Sequence, residues 1–380
     1  LGGLFSVAYA DLIQTFILFL TSLYITVIAF IKVSPELIAS LTPSGWDTLH
    51  PTMRIDYMQN VSMAGYPEGA FALFMPWVLM WGFQSLLSFF SGPGMGPGTQ
   101  FMLSTKCARD TCKQGAGYEL LTFPKWTLVV GITLLALTAS DINIADTDMV
   151  LPRIMNSILP AGVKGFVLVG FLAAFMSAFS ISINNGTSYV IQDIYIRHVR
   201  PAAKRKEFLA ATYISSVLFV ALGVWVGMSM HSVLELGVWV FSVLSGSMIV
   251  PLVLRWYWWR FNGWGFSCGM IAAFCVALGQ KLVQLHWGYV WPDWAFYFLM
   301  CGVSLTVSVL VTLLTPATER GTLVEFYRRT QPWGRWKPVK ADLLRLEPSL
   351  RREKMLRYDA INCVVGATAL FCLNMMPVYF

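Results

Sequence analysis

Residues Phe166–Ser182 read FVLVGFLAAFMSAFSIS, an apolar stretch that carries no charged residue. A run of this kind approaches the ~20 residues that cross a bilayer as an α-helix. Its apolar and polar residues do not alternate, which argues against a strand of a closed β-barrel. The stretch therefore predicts a membrane helix, which we expect to continue to about Tyr195, before the basic run that begins at Arg197.

Apolar runs of similar character lie on both sides of this stretch. The chain is 56% hydrophobic and only 12% charged, which is too apolar for a soluble domain that must show water a polar coat. We therefore predict an all-α polytopic membrane protein with about nine transmembrane helices. The other eight runs are Ile13–Ile31, Phe71–Phe90, Trp126–Leu137, Phe208–Met228, Val233–Leu254, Ile271–Val283, Phe296–Leu314 and Ile361–Met376.

The runs also suggest how the chain is divided. Residues 1–314 hold most of them and are interpreted as a transmembrane core. Residues 315–357 are polar and strongly basic, and they are interpreted as a cytoplasmic segment. Residues 358–380 are interpreted as a C-terminal transmembrane helix.

The placement of the basic residues predicts an orientation. The chain carries 27 Lys and Arg residues and a formal net charge of +7. If the chain starts in the cytoplasm, all but five of them fall in inner segments, as the positive-inside rule demands. We therefore expect a multi-pass protein of the cell membrane. Its partner is expected to be the lipid bilayer, and no nucleic-acid partner is expected. The five exceptions are Lys32, Arg54, Arg153, Lys164 and Lys281.

The residues of acid–base and metal chemistry are scattered. The four histidines lie outside the predicted helix centres, so a membrane enzyme is not expected. Cys107 and Cys112 share an inner loop without a second cysteine pair or a nearby histidine, which argues against a zinc site. The remaining cysteines lie in or beside apolar runs and are expected to pack as small hydrophobic residues. No enzymatic cofactor is expected.

A glycine- and proline-rich segment, Ser91-Gly-Pro-Gly-Met-Gly-Pro-Gly98, follows the second predicted helix. Proline removes a backbone donor and glycine adds backbone freedom, so the segment cannot continue a regular helix. Irregular backbone near membrane depth is tolerated where it is buried or lines a wet cavity, and such breaks form sites in many transporters. The segment is either a break of that kind or an ordinary inner loop.

Polar residues form one stripe on the fourth predicted helix. Ser177, Ser180, Asn184 and Ser188 are spaced by three or four residues, which places them on one helix face. Such a stripe either permits close helix packing and hydrogen bonds to the preceding turn, or lines a cation site with oxygen atoms.

The order of motifs resembles the sodium:solute symporter family. Gly2-Gly-Leu-Phe-Ser6 and Asp11-Leu-Ile-Gln14 are similar to its Gly-Gly-Leu-x-Ser/Ala turn and downstream Asp-x-x-Gln. The stretch from Ala173 to Tyr195 is similar to its Ala-Ala-x-x-Ser…Asp-Ile-Tyr helix, and Leu159–Gly165 resembles the approach to that helix. The resemblance follows the chain in order over nearly its whole length.

This resemblance implies a fold of five plus five helices in an inverted repeat, as in the bacterial leucine transporter. The first predicted helix would be core helix 5, and the next five would be core helices 6 to 10. Core helices 1 to 4 are then expected before Leu1, so the sequence is interpreted as a fragment of a longer protein.

The resemblance also implies an ion site. In the family, one carbonyl and two hydroxyls of core helix 8 join carbonyls of core helix 1 around Na⁺. By motif these groups fall on the Ala174 carbonyl, the Ser177 hydroxyl and position 178, where Ala178 offers only its backbone. Asp11 resembles a family aspartate near the inner gate, which is thought to help the ion leave. Alternatively, Asp11 is an interfacial residue that faces water.

Solute recognition in sugar-carrying members uses polar residues before the helix break and a lysine on core helix 7. These positions correspond approximately to Ser88, Ser91 and Lys125, with Gln84 one turn earlier as a further candidate. The alternatives are two packing serines and a lysine that reaches the inner membrane surface.

We therefore expect a secondary transporter that moves a small polar solute, with Na⁺ as the coupling ion, by alternating access. Sugars, amino acids, carboxylates and nucleobases all remain open as solutes. Two alternatives remain open as well: a non-transporting membrane sensor built on the same fold, and a Na⁺-independent transporter. The missing hydroxyl at Ala178 is the feature that favours them.

Overall fold

The computed structural model describes most of the chain, and its backbone there is predominantly α-helical. The described residues form no β-strand beyond one isolated bridge between Trp258 and Arg335. They are residues 3–41, 53–55, 72–92, 104–138, 147–228, 233–288, 291–348, 361–362 and 364–369.

The helices are numbered here in chain order. The first six are α1 (Gly3–Lys32), α2 (Pro35–Leu41), α3 (Phe74–Phe90), α4 (Ala108–Thr138), α5 (Thr147–Ile158) and α6 (Ala161–Tyr189). A π-helical segment, Val190–Val199, continues α6. The other six are α7 (Arg205–Met228), α8 (Val233–Tyr257), α9 (Gly263–Trp287), α10 (Asp293–Leu314), α11 (Arg320–Thr330) and α12 (Lys337–Leu346).

The predicted membrane class is confirmed. Within the described part of the chain, seven helices are long and apolar enough to cross a membrane: α1, α4, α6 with its π-helical extension, and α7 to α10. Helix α3 is apolar but has only 17 residues. Of the ninth predicted run, the structure describes only residues 361–362 and 364–369, which are helical.

Three helical features differ from the sequence expectations. The stretch between the first two predicted runs holds the short helix α2, and the stretch between the third and fourth predicted runs holds α5. Both are too short and polar to resemble a membrane span, although Ile154 of α5 is fully buried. Helix α4 begins at Ala108, well before the predicted run Trp126–Leu137, so Pro124 and Lys125 lie inside a helix.

The chain divides into two compact units. The first contains Leu1–Trp46, Met95–Val233 and Asn362–Phe380. Its core joins α1, α4, α5 and α6 through buried residues such as Ile25, Leu135, Ile154 and Val167. Because Gly131 and Gly170 lack side chains, α4 and α6 approach α1 closely at Ile25 and Thr21 respectively.

The second unit contains Asp47–Gly94 and Leu234–Ile361. In this unit α9 packs closely against α10 through small residues spaced four apart, the first two of which lie against buried hydroxyl-bearing residues of α10. The residues on α9 are Gly265, Gly269, Ala273 and Ala277, and those on α10 are Ser304, Ser308 and Thr312. Small residues at such spacing let two membrane helices pack backbone against backbone.

A helical hairpin, α11 and α12, follows the last long span of this unit. The two helices pack through Leu323, Tyr327, Val339 and Leu343, and the residues of the turn between them bond to the end of α8. There the Trp336 indole donates to the Trp256 carbonyl over 2.8 Å, and the Arg335 amide donates to the Tyr257 carbonyl over 2.7 Å. Residues 320–346 of the predicted cytoplasmic segment therefore form a helical hairpin that contacts the end of α8.

The predicted orientation can be tested by labelling two positions. We expect Cys107, before α4, and a cysteine introduced by Lys281→Cys in α9 to lie on opposite faces of the membrane, because four membrane helices and most of α9 separate them. The measurement is reaction with a membrane-impermeant thiol reagent in sealed vesicles, in variants whose other cysteines are replaced. Equal reaction of both positions from one face would contradict the orientation.

Candidate functional site

The candidate ion site is built where α1 meets α6. Thr21 of α1 packs against Gly170 of α6, and Asp11 lies opposite Ser177. From Asp11 to Thr21 the residue numbers rise along α1, whereas those of their partners fall along α6 from Ser177 to Gly170. The two helices therefore run antiparallel. Asp11 is the first residue of the candidate span Asp11–Lys32, so its carboxyl lies at one end of a membrane crossing.

The structure brings two predicted site residues together. The Ser177 hydroxyl donates to the Asp11 carboxylate, with 2.7 Å between Oγ and Oδ1, although the residues are 166 positions apart. Both side chains are half-buried. The sequence placed Asp11 on the ion pathway and Ser177 in the sodium site, but it did not predict their contact. The Ser177 hydroxyl is thus directed across the helix interface.

The two alanines of the predicted sodium positions differ in their surroundings. Ala174, one turn before Ser177, is half-buried, whereas Ala178 is exposed. The Ala178 carbonyl accepts a hydrogen bond from the Ser182 hydroxyl over 2.8 Å. Position 178 therefore supplies a carbonyl that already has a side-chain donor.

The polar stripe of α6 is not buried along its whole length. Ser180 is half-buried, but Asn184 and Ser188 are exposed. Near the end of the stripe, the buried Thr187 hydroxyl lies 3.1 Å from the Ser216 hydroxyl of α7. Sequence reasoning missed this second cross-helix contact, because Thr187 is one residue off the predicted face.

Helix α1 carries further buried oxygen atoms. Within the described part of the chain, Gln14 Oε1 and Thr21 Oγ1 are buried and have no hydrogen-bond partner. The neighbouring Ser22 hydroxyl donates to the Pro124 carbonyl of α4. The sequence reasoning noted Gln14 only as part of a motif. Its spacing of three from Asp11, which places both residues on one helix face, was the available signal.

The predicted solute residues on α3 lie near its end. Gln84 is half-buried, Ser88 is exposed and Ser91 is buried. The Ser91 hydroxyl donates to the Ser88 carbonyl over 2.8 Å and so closes the last turn of α3. Lys125 belongs to the other compact unit, where it is exposed on α4.

Helix α3 ends at the start of the glycine- and proline-rich segment. Gly92 has a φ of 65°, a left-handed conformation that favours glycine, and a Cβ there would lie 2.7 Å from the indole nitrogen of Trp256. The Phe90 ring also meets the Tyr257 ring edge to face. The end of α3 is therefore held against the end of α8. Residues 93–98 of the predicted break lie outside the described part.

The side-chain groups that meet at the α1–α6 contact carry oxygen atoms. Among the described residues, no group of three or more His, Cys, Asp or Glu side chains could hold a metal ion. At the α1–α6 contact the oxygen groups are the Asp11 carboxylate and the Ser177 hydroxyl. Transporters coordinate Na⁺ with such oxygen atoms where helices meet or unwind.

Comparison with known proteins places the chain among membrane transporters. Residues 1–273 match the profile of the sodium:solute symporter family. The chain is 24% identical over 335 residues to the high-affinity proline transporter PutP of Bacillus subtilis, a match that spans 86% of this chain and 64% of that protein. It is 21% identical over 323 residues to the sodium/glucose cotransporter 4 of Danio rerio, spanning 76% of this chain and 47% of that protein. The chain thus covers less than two thirds of the length of these relatives.

The fold is similar to that of a solved transporter. A Na⁺-coupled sialic acid symporter in a substrate-bound outward-open state, described as having a novel Na⁺ site, superposes with a TM-score of 0.55 at 14% identity. The match covers 84% of this chain and 64% of that one. This confirms the leucine-transporter-like fold expected from the sequence.

Proposed function

The chain belongs to the sodium:solute symporter family, and on that premise we propose that it serves Na⁺-coupled secondary transport of a small polar solute by alternating access. As members of a transporter family, such proteins are not enzymes, and their chemistry is binding and release rather than bond making. The ion gradient supplies the free energy for solute transport. It does so through a site whose affinity for its ligands differs between the inward-facing and outward-facing states.

The observation that carries the proposal is the contact between Asp11 and Ser177. Ionisable residues in membrane segments are rare and often mark ion or substrate pathways, and Asp11 lies at the end of the candidate span Asp11–Lys32. Here it receives a 2.7 Å hydrogen bond from the hydroxyl on the neighbouring helix that the family motif assigns to the sodium site. Ala174, one turn earlier, places a further backbone carbonyl near that level.

Ion binding would be coupled to helix packing through this contact. A cation between α1 and α6 would be attracted to the Asp11 carboxylate and would accept the oxygen lone pairs of Ser177. Both helices would then be held together as long as the ion is bound. Release of the ion toward the predicted inner face, where Asp11 lies, would leave the Ser177 hydroxyl to donate to the carboxylate.

The class of solute is proposed from the relatives and from the α3 residues. Relatives are named for proline, pantothenate, glucose and myo-inositol, all of which are small and polar. Gln84, Ser88 and Ser91 offer neutral hydrogen-bonding groups near the end of α3. Neutral donors and acceptors suit hydroxyl, amide and carboxylate groups of such solutes.

Uptake by the full-length gene product in proteoliposomes tests the proposal. With Na⁺ outside and K⁺ inside, at least one labelled solute from a panel of proline, pantothenate, glucose, myo-inositol and sialic acid is expected to accumulate above its outside concentration. Equal Na⁺ on both sides should abolish the accumulation. Mere equilibration of every solute under the gradient would contradict it.

The same experiment addresses the Na⁺-independent alternative, which Ala178 favours because its side chain offers no oxygen. Under that alternative, replacing Na⁺ by choline would leave uptake unchanged. For the sensor alternative, no solute in the panel would cross the bilayer, while addition of the recognised solute would still raise heat stability.

A further inference from the structure

One turn of α1 beyond Asp11 lies Gln14, whose side chain ends in a polar amide. Its Oε1 is buried, and the described part of the chain offers it no hydrogen-bond partner. A buried acceptor without a donor is costly, and most buried polar groups in native proteins have partners. An oxygen kept in this state calls for an explanation other than packing.

The position of Gln14 suggests what its oxygen serves. Gln14 follows Asp11 by one turn of α1 and shares its helix face. Since α6 runs antiparallel to α1, the corresponding step along α6 leads from Ser177 back to Ala174, whose carbonyl is assigned to the sodium site by motif. Gln14 thus lies at the level where a cation bound by Asp11 and Ser177 would need further oxygen ligands.

We propose that the side-chain carbonyl of Gln14 is an additional ligand of the transported cation, and that it supplies the oxygen which Ala178 lacks. This inference rests on the proposed function, because it assigns a residue to the same ion site. An amide carbonyl is a neutral, hard oxygen donor of the kind that replaces water around alkali cations. Binding of the cation satisfies the buried acceptor, so the cost of the unpaired oxygen in the ion-free state favours the ion-bound state.

Thr21 provides a matched comparison on the same helix face. Its hydroxyl oxygen is also buried and unpartnered, but it packs directly against Gly170, where a single added carbon would collide with it. That close approach leaves no room for a cation beside the hydroxyl. Thr21→Val therefore removes an equally orphaned oxygen without touching the proposed site.

The experiment measures Na⁺ binding in two ways in the full-length protein. One is the NaCl concentration for half-maximal protection against heat denaturation, with choline chloride holding the ionic strength constant. The other is the Na⁺ concentration for half-maximal solute uptake. The variants are Gln14→Leu, Gln14→Met, which keeps the side-chain length, Gln14→Glu, which keeps an oxygen, and Thr21→Val.

We expect Gln14→Leu and Gln14→Met to raise both Na⁺ concentrations roughly 5- to 150-fold, the usual range for one lost buried polar contact. Without Na⁺ both variants should be at least as heat-stable as the parent, because an orphaned acceptor has been removed. Gln14→Glu and Thr21→Val should remain within about threefold of the parent.

Other results would overturn the inference. If Gln14→Leu and Gln14→Met stay within about twofold of the parent, Gln14 is not a ligand. If they lose stability without Na⁺ as well as affinity, or if Thr21→Val shows the same loss, the role is structural. If Na⁺ neither protects the parent protein against heat denaturation nor drives its solute uptake, the proposed function itself is overturned. This result is distinguishable because it does not depend on any variant.

Discussion

Ser177→Ala is expected to raise the Na⁺ concentration for half-maximal uptake by roughly 5- to 150-fold, which corresponds to ~1–3 kcal/mol for one buried polar contact. The Ser177 hydroxyl lies at the interface of α1 and α6, 2.7 Å from the Asp11 carboxylate. The variant removes a proposed ligand, and it also leaves the half-buried carboxylate without its only described side-chain donor in the ion-free state. Ala178 cannot compensate, because its side chain carries no oxygen.

The reciprocal variant Ala178→Ser should lower the same Na⁺ concentration, because it restores the hydroxyl that the family motif has at this position. Position 178 is exposed in the described chain, so the added hydroxyl has room. Ser188→Ala, on the same helix but exposed and more than two turns away, is the matched control and should change nothing.

Uptake titrations with Na⁺ replaced by choline distinguish the two interpretations of Ser177. If neither Ser177→Ala nor Ala178→Ser shifts the half-maximal Na⁺ concentration by more than about twofold, the assignment of an ion site to α6 should be abandoned. The hydrogen bond to Asp11 would then be a packing contact only.

Gly269→Val is expected to give the largest loss of stability of any substitution considered. A Cβ at Gly269 would lie 2.9 Å from the Ser304 carbonyl oxygen and would overlap the Ser308 hydroxyl. The carbonyl belongs to the backbone of α10 and cannot rotate away, so α9 and α10 must separate. Overpacking of this kind costs typically ~1–3 kcal/mol, and separation would also weaken the buried contacts of Ala273 and Ala277.

A melting experiment in detergent with a matched glycine tests this prediction. Gly302→Val places the same side chain on α10, where a Cβ meets nothing within 4 Å. We expect Gly269→Val to lower the melting temperature by several degrees, at roughly 2–4 °C per kcal/mol for chains of 150–250 residues, while Gly302→Val leaves it nearly unchanged. Equal effects of the two variants would show that the α9–α10 contact is not close packed.

The sequence predicted the membrane helices well because the information for them is local. The length and hydropathy of a stretch such as Phe296–Leu314 can be read directly from its residues. A bilayer then requires the backbone of that stretch to be hydrogen-bonded internally, whatever its neighbours are. The structure has this helix as Asp293–Leu314. Where hydropathy is weak the prediction was less complete, as in α4, whose first turns are polar and extend to Ala108.

Short amphipathic helices were harder to predict. Helix α5 contains Pro152 and both polar and apolar residues, and it packs on the core through Ile154. The hairpin of α11 and α12 lay in a segment read as basic and cytoplasmic. Its helices are stabilised by contacts with each other and with Trp256 and Tyr257, which no local pattern reveals.

For the candidate site, the sequence determined which residue types are available, and the tertiary structure decided which of them meet. Spacing and motif indicated Asp11, Ala174 and Ser177, because helix periodicity and family order are properties of the chain itself. The contact between Asp11 and Ser177, and the burial of the Gln14 oxygen, depend on how α1 and α6 approach each other. That approach is made possible by the absence of a side chain at Gly170, opposite Thr21 and far from Asp11 in sequence. Packing between distant segments is a property of pairs of helices, so it becomes visible only when both are placed in space.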